Sequence, residues 1–322
     1  MGKTLICSSE NTQVAATALL NGHLVAFPTE TVYGLGADAN NLAAINSIYM
    51  VKARPKNHPL IVHISSVELL KYWAIDVPSY ATKLASAFWP GPMTLILRKS
   101  NNANSAITGG QTNIGIRVPN NSCATELLQA FEKEGGKGVV APSANRYGAV
   151  SPTRAKDVED ELADFLGAHD LILDGGSSTV GIESTIIECL NSKPRILRPG
   201  LITPSMIRTV IELDQTSVGS HVETRFPGGT TNHYSPKTPV YINQQAQEGD
   251  GLIALTSITT PDGVTRLCSP SSYQEFATQL YMSFRKADRL NLRKIIVIIK
   301  DDNEIAIAIK DRVLRALSEK NS

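Results

Sequence analysis

Leu24-Val25-Ala26-Phe27-Pro28-Thr29-Glu30-Thr31-Val32-Tyr33-Gly34-Leu35-Gly36 runs from an apolar strand into hydroxyls, a carboxylate and two glycines. Residues 24–28 have the length and texture of a buried strand. Where such a strand ends, hydroxyls and glycines let a polar ligand come close to the backbone. A plain turn into the next element uses the same residue types, and the stretch alone leaves both readings open. The pattern repeats further along. Ala141-Pro142-Ser143-Ala144-Asn145 follows an apolar strand over 138–141, where α/β folds keep ligand sites. Helix capping by Ser143 or Asn145 is the plain alternative. Asp174-Gly175-Gly176 ends a strand over 171–174, and Gly181-Ile182-Glu183-Ser184-Thr185 leads into one over 184–188. Here the plain reading is a tight loop between strands.

Between these points strands and helices alternate. Further strands are expected over 60–64, 94–98, 114–118 and 195–198. Helices are expected over 42–53, with Ile45, Ile48 and Tyr49 on one face, and over 80–88, 124–134, 154–166 and 204–213. Trp89-Pro90-Gly91-Pro92 is a strong stop for the second of these. Many strands with few long crossovers predict an α/β sheet of mixed direction rather than a doubly wound one. Over 214–239 the texture changes to Gly and Pro without apolar periodicity. So long a connection reads as a functional linker or lid. Beyond it, strands over 240–242, 252–255 and 295–299 and helices over 273–285 and 305–317 predict a small Rossmann-like α/β domain with parallel strands. The expected division is therefore 1–213, a linker at 214–239, and 240–322.

The whole chain of 322 residues carries 42% hydrophobic and 19% charged residues, an ordinary globular composition. Its net charge of +1, from 31 basic and 30 acidic residues, draws it to neither nucleic acid nor lipid, so any anion must be held by a local cluster. Cys7, Cys123, Cys189 and Cys268 stand far apart with no zinc spacing, and they read as reduced core residues of a cytoplasmic protein. Residues 1–11 lack a signal-peptide pattern, and the apolar run at 295–299 is too short to span a bilayer. Gly2-Lys3-Thr4 ends like a phosphate loop but has no strand or glycine at the required distance before it. Any use of ATP is expected without a Walker loop.

Cations do cluster locally in Lys52-Ala53-Arg54-Pro55-Lys56-Asn57-His58-Pro59-Leu60. A helix C-terminus favours Lys and Arg through its dipole, which is the plain reading. A triphosphate needs such convergence too: Arg takes two phosphate oxygens at once and Lys adds a point charge. His58 and His63 follow closely, and Arg117 and Arg198 each end a strand just before a proline.

Taken together, these segments resemble the YrdC-type threonylcarbamoyl-AMP synthases in their long two-domain form. The K-x-R…S-x-N signature of that family stands as Lys52-Ala53-Arg54 and Ser143-Ala144-Asn145, with PTETVYGLG, FWPGPMTLIL, IGIRVP, DGG and GIESTII in the family's order over residues 10–205. The second domain is similar through FRKADRLNLRKIIVI, and His233-Tyr234-Ser235-Pro236 matches the family linker. Pro227-Gly228-Gly229-Thr230-Thr231-Asn232 departs from the usual P-G-M pattern. The resemblance implies a mixed curved sheet around an open basic cleft. It also implies condensation of L-threonine, bicarbonate and ATP to threonylcarbamoyl-AMP with release of pyrophosphate. Carried over by motif, Thr31, His63, Arg117, Ala141 and Ser184 surround the threonine, with Arg117 on its carboxylate. Arg54, His58, Asn113, Ser143, Ser151 and Arg198 hold ATP, with Lys52 and Asn145 beside the phosphates and Tyr234 closing from the linker. Lys52 and Arg54 are the expected catalytic cations, and Mg2+ arrives on the ATP phosphates. The product would pass to a downstream tRNA threonylcarbamoyl transferase complex.

Two other classes compete. A non-catalytic RNA-binding protein of the same fold is disfavoured by the neutral charge and the absence of aromatic-basic repeats. A hydrogenase-maturation carbamoyltransferase contains a related domain, but it needs zinc-binding modules for which these cysteines have no arrangement.

Overall fold

The computed structural model describes residues 2–214, 224–229 and 234–317. The chain opens with β1 (Lys3–Ile6), α1 (Ser9–Leu20), β2 (Val25–Phe27), β3 (Gly34–Asp38), α2 (Leu42–Lys52) and β4 (Ile61–His63). Next come α3 (Leu70–Trp73), α4 (Ser79–Phe88), β5 (Met93–Arg98), α5 (Ser105–Thr108), β6 (Asn113–Arg117), α6 (Ser122–Lys133) and β7 (Val139–Val140). The first lobe closes with α7 (Ala155–Leu162), β8 (Leu171–Asp174), β9 (Thr185–Glu188), β10 (Arg195–Arg198) and α8 (Pro204–Arg208). The second lobe holds β11 (Val240–Ile242), β12 (Gly251–Ile253), β13 (Thr265–Cys268), α9 (Tyr273–Arg289), β14 (Ile295–Val297) and α10 (Glu304–Ala316).

The first lobe is built on a ten-stranded sheet in the order β1-β8-β2-β3-β7-β4-β6-β5-β9-β10. Parallel and antiparallel neighbours mix along it: β4 lies parallel to β6, while β7 runs antiparallel to both β3 and β4. Strand alternation then sorts the side chains. Val62, Ile116 and Val140 enter the large core under α2, α3 and α4, whereas Ile61, His63, Arg117 and Ala141 face a cavity. The second lobe is a four-stranded sheet, β11-β14-β12-β13, parallel throughout. Its core under α9 and α10 is continuous with Val32, Val150, Ile182 and Tyr234, so apolar packing crosses between the lobes. Among the described residues no helix is long and apolar enough to cross a membrane.

Three sequence expectations need correction. The helix expected over 204–213 stops at Arg208, where the β-branched run Thr209-Val210-Ile211 begins. Strands β1, β3 and β13 were not expected; β3 is Gly-Leu-Gly-Ala-Asp, without a β-branched residue. Cys7 and Cys123 form a disulfide across 116 residues, with Cα atoms 6.0 Å apart. Helices α1 and α6 pack together and bring the end of β1 beside the start of α6, which sequence distance conceals. Cys189 and Cys268 are free.

Candidate active site

The cation motif is divided by one turn of backbone. Asn41 caps the start of α2, its side-chain oxygen accepting from the Ala44 N–H at 3.1 Å. At the other end Ala53 adopts the left-handed conformation, φ 48°, which reverses the chain. Lys52 points inward because it shares the buried face of α2 with Ile45, Ile48 and Tyr49, while the reversal at Ala53 carries Arg54 to the cavity. The buried Lys52 ammonium donates to the Ser143 carbonyl at 2.6 Å and to the Asn145 carbonyl. Burial, then the charge of Arg54, pushes its pKa well below the ordinary lysine range. Lys52 thus holds the loop after β7 in place, and Ser143 is exposed to the cavity as a result.

That cavity is small, about 60 Å³, and is bordered by Thr29, Thr31, Arg54, His63, Ser143 and Arg198 among others. Arg54 reaches in with one guanidinium nitrogen donating to the Pro59 carbonyl at 3.0 Å, while its buried Nε has no hydrogen-bond partner among the described residues. Arg198 enters from the end of β10. Its Nε donates to the Ser184 carbonyl at 3.0 Å, Nη2 to the Ser184 hydroxyl at 3.1 Å, and Nη1 to the Pro227 carbonyl at 2.8 Å. Burial lowers the pKa of both arginines from the ordinary value. Two desolvated cations facing one hollow make an anion site in search of its anion.

The opposite wall is more nearly balanced. Arg117 forms a buried salt bridge with Glu30 at 2.7 Å and donates to the Thr31 hydroxyl at 2.8 Å. A ligand carboxylate at Arg117 would therefore share it with Glu30, an arrangement the lone strand-end arginine did not suggest. His63 stands next to it on β4; burial and the Arg117 charge hold its pKa near 3 against an ordinary 6.5. The imidazole is neutral at physiological pH and can donate or accept without adding charge.

Of the described linker residues, Pro227, Gly228 and Tyr234 border the cavity. Arg225 donates to the carbonyls of Asn57 at 3.0 Å and Gly109 at 2.8 Å, its N–H donates to the Gln111 side chain at 2.7 Å, and the Thr224 hydroxyl donates to Glu188. Further on, Tyr234 is 1% exposed and stacks on Tyr281 of α9 with ring centres 5.7 Å apart. Its φ is +66°, a conformation that a bulky side chain adopts only under constraint. His233 and residues 230–232, named for the linker match, lie outside the described residues.

Of the residues expected from the sequence, Thr31, Arg54, His63, Arg117, Ala141, Ser143, Ser184, Arg198 and Tyr234 share this cavity. Lys52, Asn145 and Ser151 are buried just behind it. The Asn145 amide donates to the Arg146 and Ala149 carbonyls. His58 borders an adjoining hollow with Phe226 and Gly229, and Asn113 begins β6 away from both. Sequence reading missed Glu183. It borders the cavity and accepts from Ser151 at 2.7 Å, Tyr281 at 2.9 Å and Arg312 at 2.9 Å. The available signal was Arg312 itself, a cation on the apolar face of a helix whose other buried positions include Ile309, Val313 and Ala316.

The chain is similar to known proteins along nearly its whole length. A family model described as "Telomere recombination" matches residues 17–200, and one described as "Threonylcarbamoyl-AMP synthase, C-terminal domain" matches residues 202–318. A threonylcarbamoyl-AMP synthase of Pyrococcus abyssi is 33% identical over 323 residues, covering 94% of this chain and 93% of its own length. One from Bacillus subtilis is 33% identical and covers 96% and 94%. The crystal structure of P. abyssi Sua5 complexed with L-threonine superposes with a TM-score of 0.86 at 31% identity, covering 98% of this chain and 97% of that one.

Proposed function

This chain belongs to the threonylcarbamoyl-AMP synthase family in its two-domain form, and we propose that the cavity under the linker is where it condenses L-threonine, bicarbonate and ATP. The observation that supports this placement is the convergence of Arg54, Arg198 and Ser143 on one hollow that also holds Thr31, His63 and Ser184. The buried arginines take the triphosphate, and the Thr31–His63–Arg117 wall takes the amino acid. Mg2+ enters on the nucleotide as part of the substrate, held chiefly by phosphate and water.

The threonine amine takes up bicarbonate to give a carbamate, with loss of water. A carbamate oxygen then attacks the α-phosphorus, forming the mixed anhydride as pyrophosphate leaves. The attacking group is already anionic, so the protein needs no strong base. Its work is positioning and neutralising phosphoryl charge. Neutral His63 suits the threonine side, where a second cation would compete with Arg54 and Arg198 for the triphosphate. The strap of 224–229 and Tyr234 keeps water from the labile carbamate and anhydride. The adenylate then serves a tRNA threonylcarbamoyl transferase complex. We place the reaction in the cytoplasm because ATP and tRNA are there; the Cys7–Cys123 bridge removes the argument from reduced thiols.

Incubation with Mg-ATP, bicarbonate and labelled threonine should yield the adenylate by mass together with pyrophosphate. Replacing Arg54 by Ala should cost about 2–4 kcal/mol of transition-state stabilisation, a rate loss of roughly 30- to 1000-fold, in a chain that still folds. A folded Arg54→Ala variant with wild-type turnover removes Arg54 from the machinery. If the wild-type chain binds tRNA but makes no adenylate, the RNA-binding reading replaces this one.

A further inference from the structure

Glu183 is an awkward residue for a cavity that receives a triphosphate. Its carboxylate borders the same hollow as Arg54 and Arg198 and stands one residue before Ser184, which Arg198 grips twice. A bare carboxylate there would repel the nucleotide. Three donors hold it instead: Ser151 of the first lobe, and Tyr281 and Arg312 of the second. Arg312 is 0% exposed; besides the carboxylate it donates to the Glu183 carbonyl at 3.1 Å and pairs with Asp311 at 2.7 Å. Its guanidinium also lies 5.9 Å from the Tyr234 ring centre. Burial would raise the Glu183 pKa, but Arg312 and then Arg198 outweigh it and hold the carboxyl below its usual range, so Glu183 stays ionised and needs its partner.

We propose that Arg312 is a positioning residue for the nucleotide: through Glu183, the second lobe neutralises the one carboxylate that borders the cavity among the described residues, and in the same contact seats Tyr234 over the cavity. The proposal rests on the reading of this cavity as the ATP site. Arg312 touches no substrate and acts only through Glu183 and Tyr234.

The test is steady-state pyrophosphate release by the full chain, varying ATP and threonine separately, with thermal unfolding of each variant in parallel. In Arg312→Met the Glu183 carboxylate keeps only its uncharged donors Ser151 and Tyr281, and KM for ATP should rise about tenfold or more while KM for threonine moves less than about threefold. Arg312→Lys, which keeps the charge, should recover part of the loss. The double variant Glu183→Gln with Arg312→Met removes both charges and should return KM for ATP to within about threefold of wild type. The double variant carries the test if Arg312→Met fails to fold. The proposal is overturned if KM for ATP in the double variant stays as high as in Arg312→Met or stands tenfold above wild type. An unchanged KM for ATP in a folded Arg312→Met chain also overturns it. In both cases an active wild type leaves the functional reading standing; an inactive wild type ends both.

Discussion

At the scale of single residues, His63 carries a cost that depends on pH. Between pH 6.5 and about 3 the unfolded chain binds a proton at this residue that the folded chain refuses. Stability therefore falls as pH drops through that window, by about 1.4 kcal/mol per unit well below 6.5. From pH 7.5 to 5 His63 alone should account for roughly 2 kcal/mol, and His63→Gln should lose less melting temperature over that interval than wild type. Equal losses would mean that His63 is charged, or solvated, in the folded protein. Lys52 makes the opposite kind of prediction. Replacing it by Met takes the side-chain donor from the Asn145 carbonyl, leaves the Ser143 carbonyl only the Asn145 N–H, and should cost about 1–3 kcal/mol of stability even with no substrate present. A residue that served only phosphate would show no such loss on unfolding without nucleotide. The meeting of Arg54, Arg198, Ser143 and Thr31 at one hollow was legible in the sequence because each stands where a strand or helix ends. The left-handed turn at Ala53 that parts Arg54 from Lys52 was not, since no residue type there demands it.

The elements were legible where apolar periodicity was strong, as in α2, α4, α6, α9 and α10, or where an apolar run was bounded by breakers, as in β5 and β14. They were obscure where pairing rather than composition makes the strand. Strand β3 forms because Val25, Ala26 and Phe27 pair with Gly36, Leu35 and Gly34, and β13 because it lies along β12. Gly36 has no room for a side chain: a Cβ there would stand 2.9 Å from Phe27 and from Val139. Contact between elements sets an equal limit at Gly181, whose φ is +80° and where a Cβ would lie 2.4 Å from Cα of Thr278 in α9. Gly181→Ala should therefore lower the melting temperature by an amount equivalent to more than about 2 kcal/mol and expose α9 to limited proteolysis. A variant that melts and resists cleavage like wild type would show that α9 is free to shift.

For the whole molecule, one apolar core crosses from Val32, Val150 and Ile182 to Phe276, Leu280 and Phe284. A chain cut after residue 239 would bare the first-lobe side of that core. It should bind a hydrophobic dye, melt lower than the full chain and lose adenylate synthesis, as should a chain cut after residue 225. If both truncated chains match the full one in turnover, the linker is no lid and the second lobe no part of the site. The two-lobed layout was readable because composition changes abruptly at 214–239. The contact between lobes was not, because it is written in isolated residues such as Glu183 and Arg312 that are 129 positions apart.

The near touch of Gly181 against the backbone of α9, beside the Thr278 hydroxyl that donates to the Thr179 carbonyl at 2.9 Å, also bears on how such a chain can be rebuilt. No side chain lies between the two surfaces to be trimmed or enlarged as compensation. A graft of a foreign second lobe onto residues 2–214 would have to reproduce the backbone path around Thr278, and mutations that adapt the junction should fall on helix placement rather than on the residues in contact.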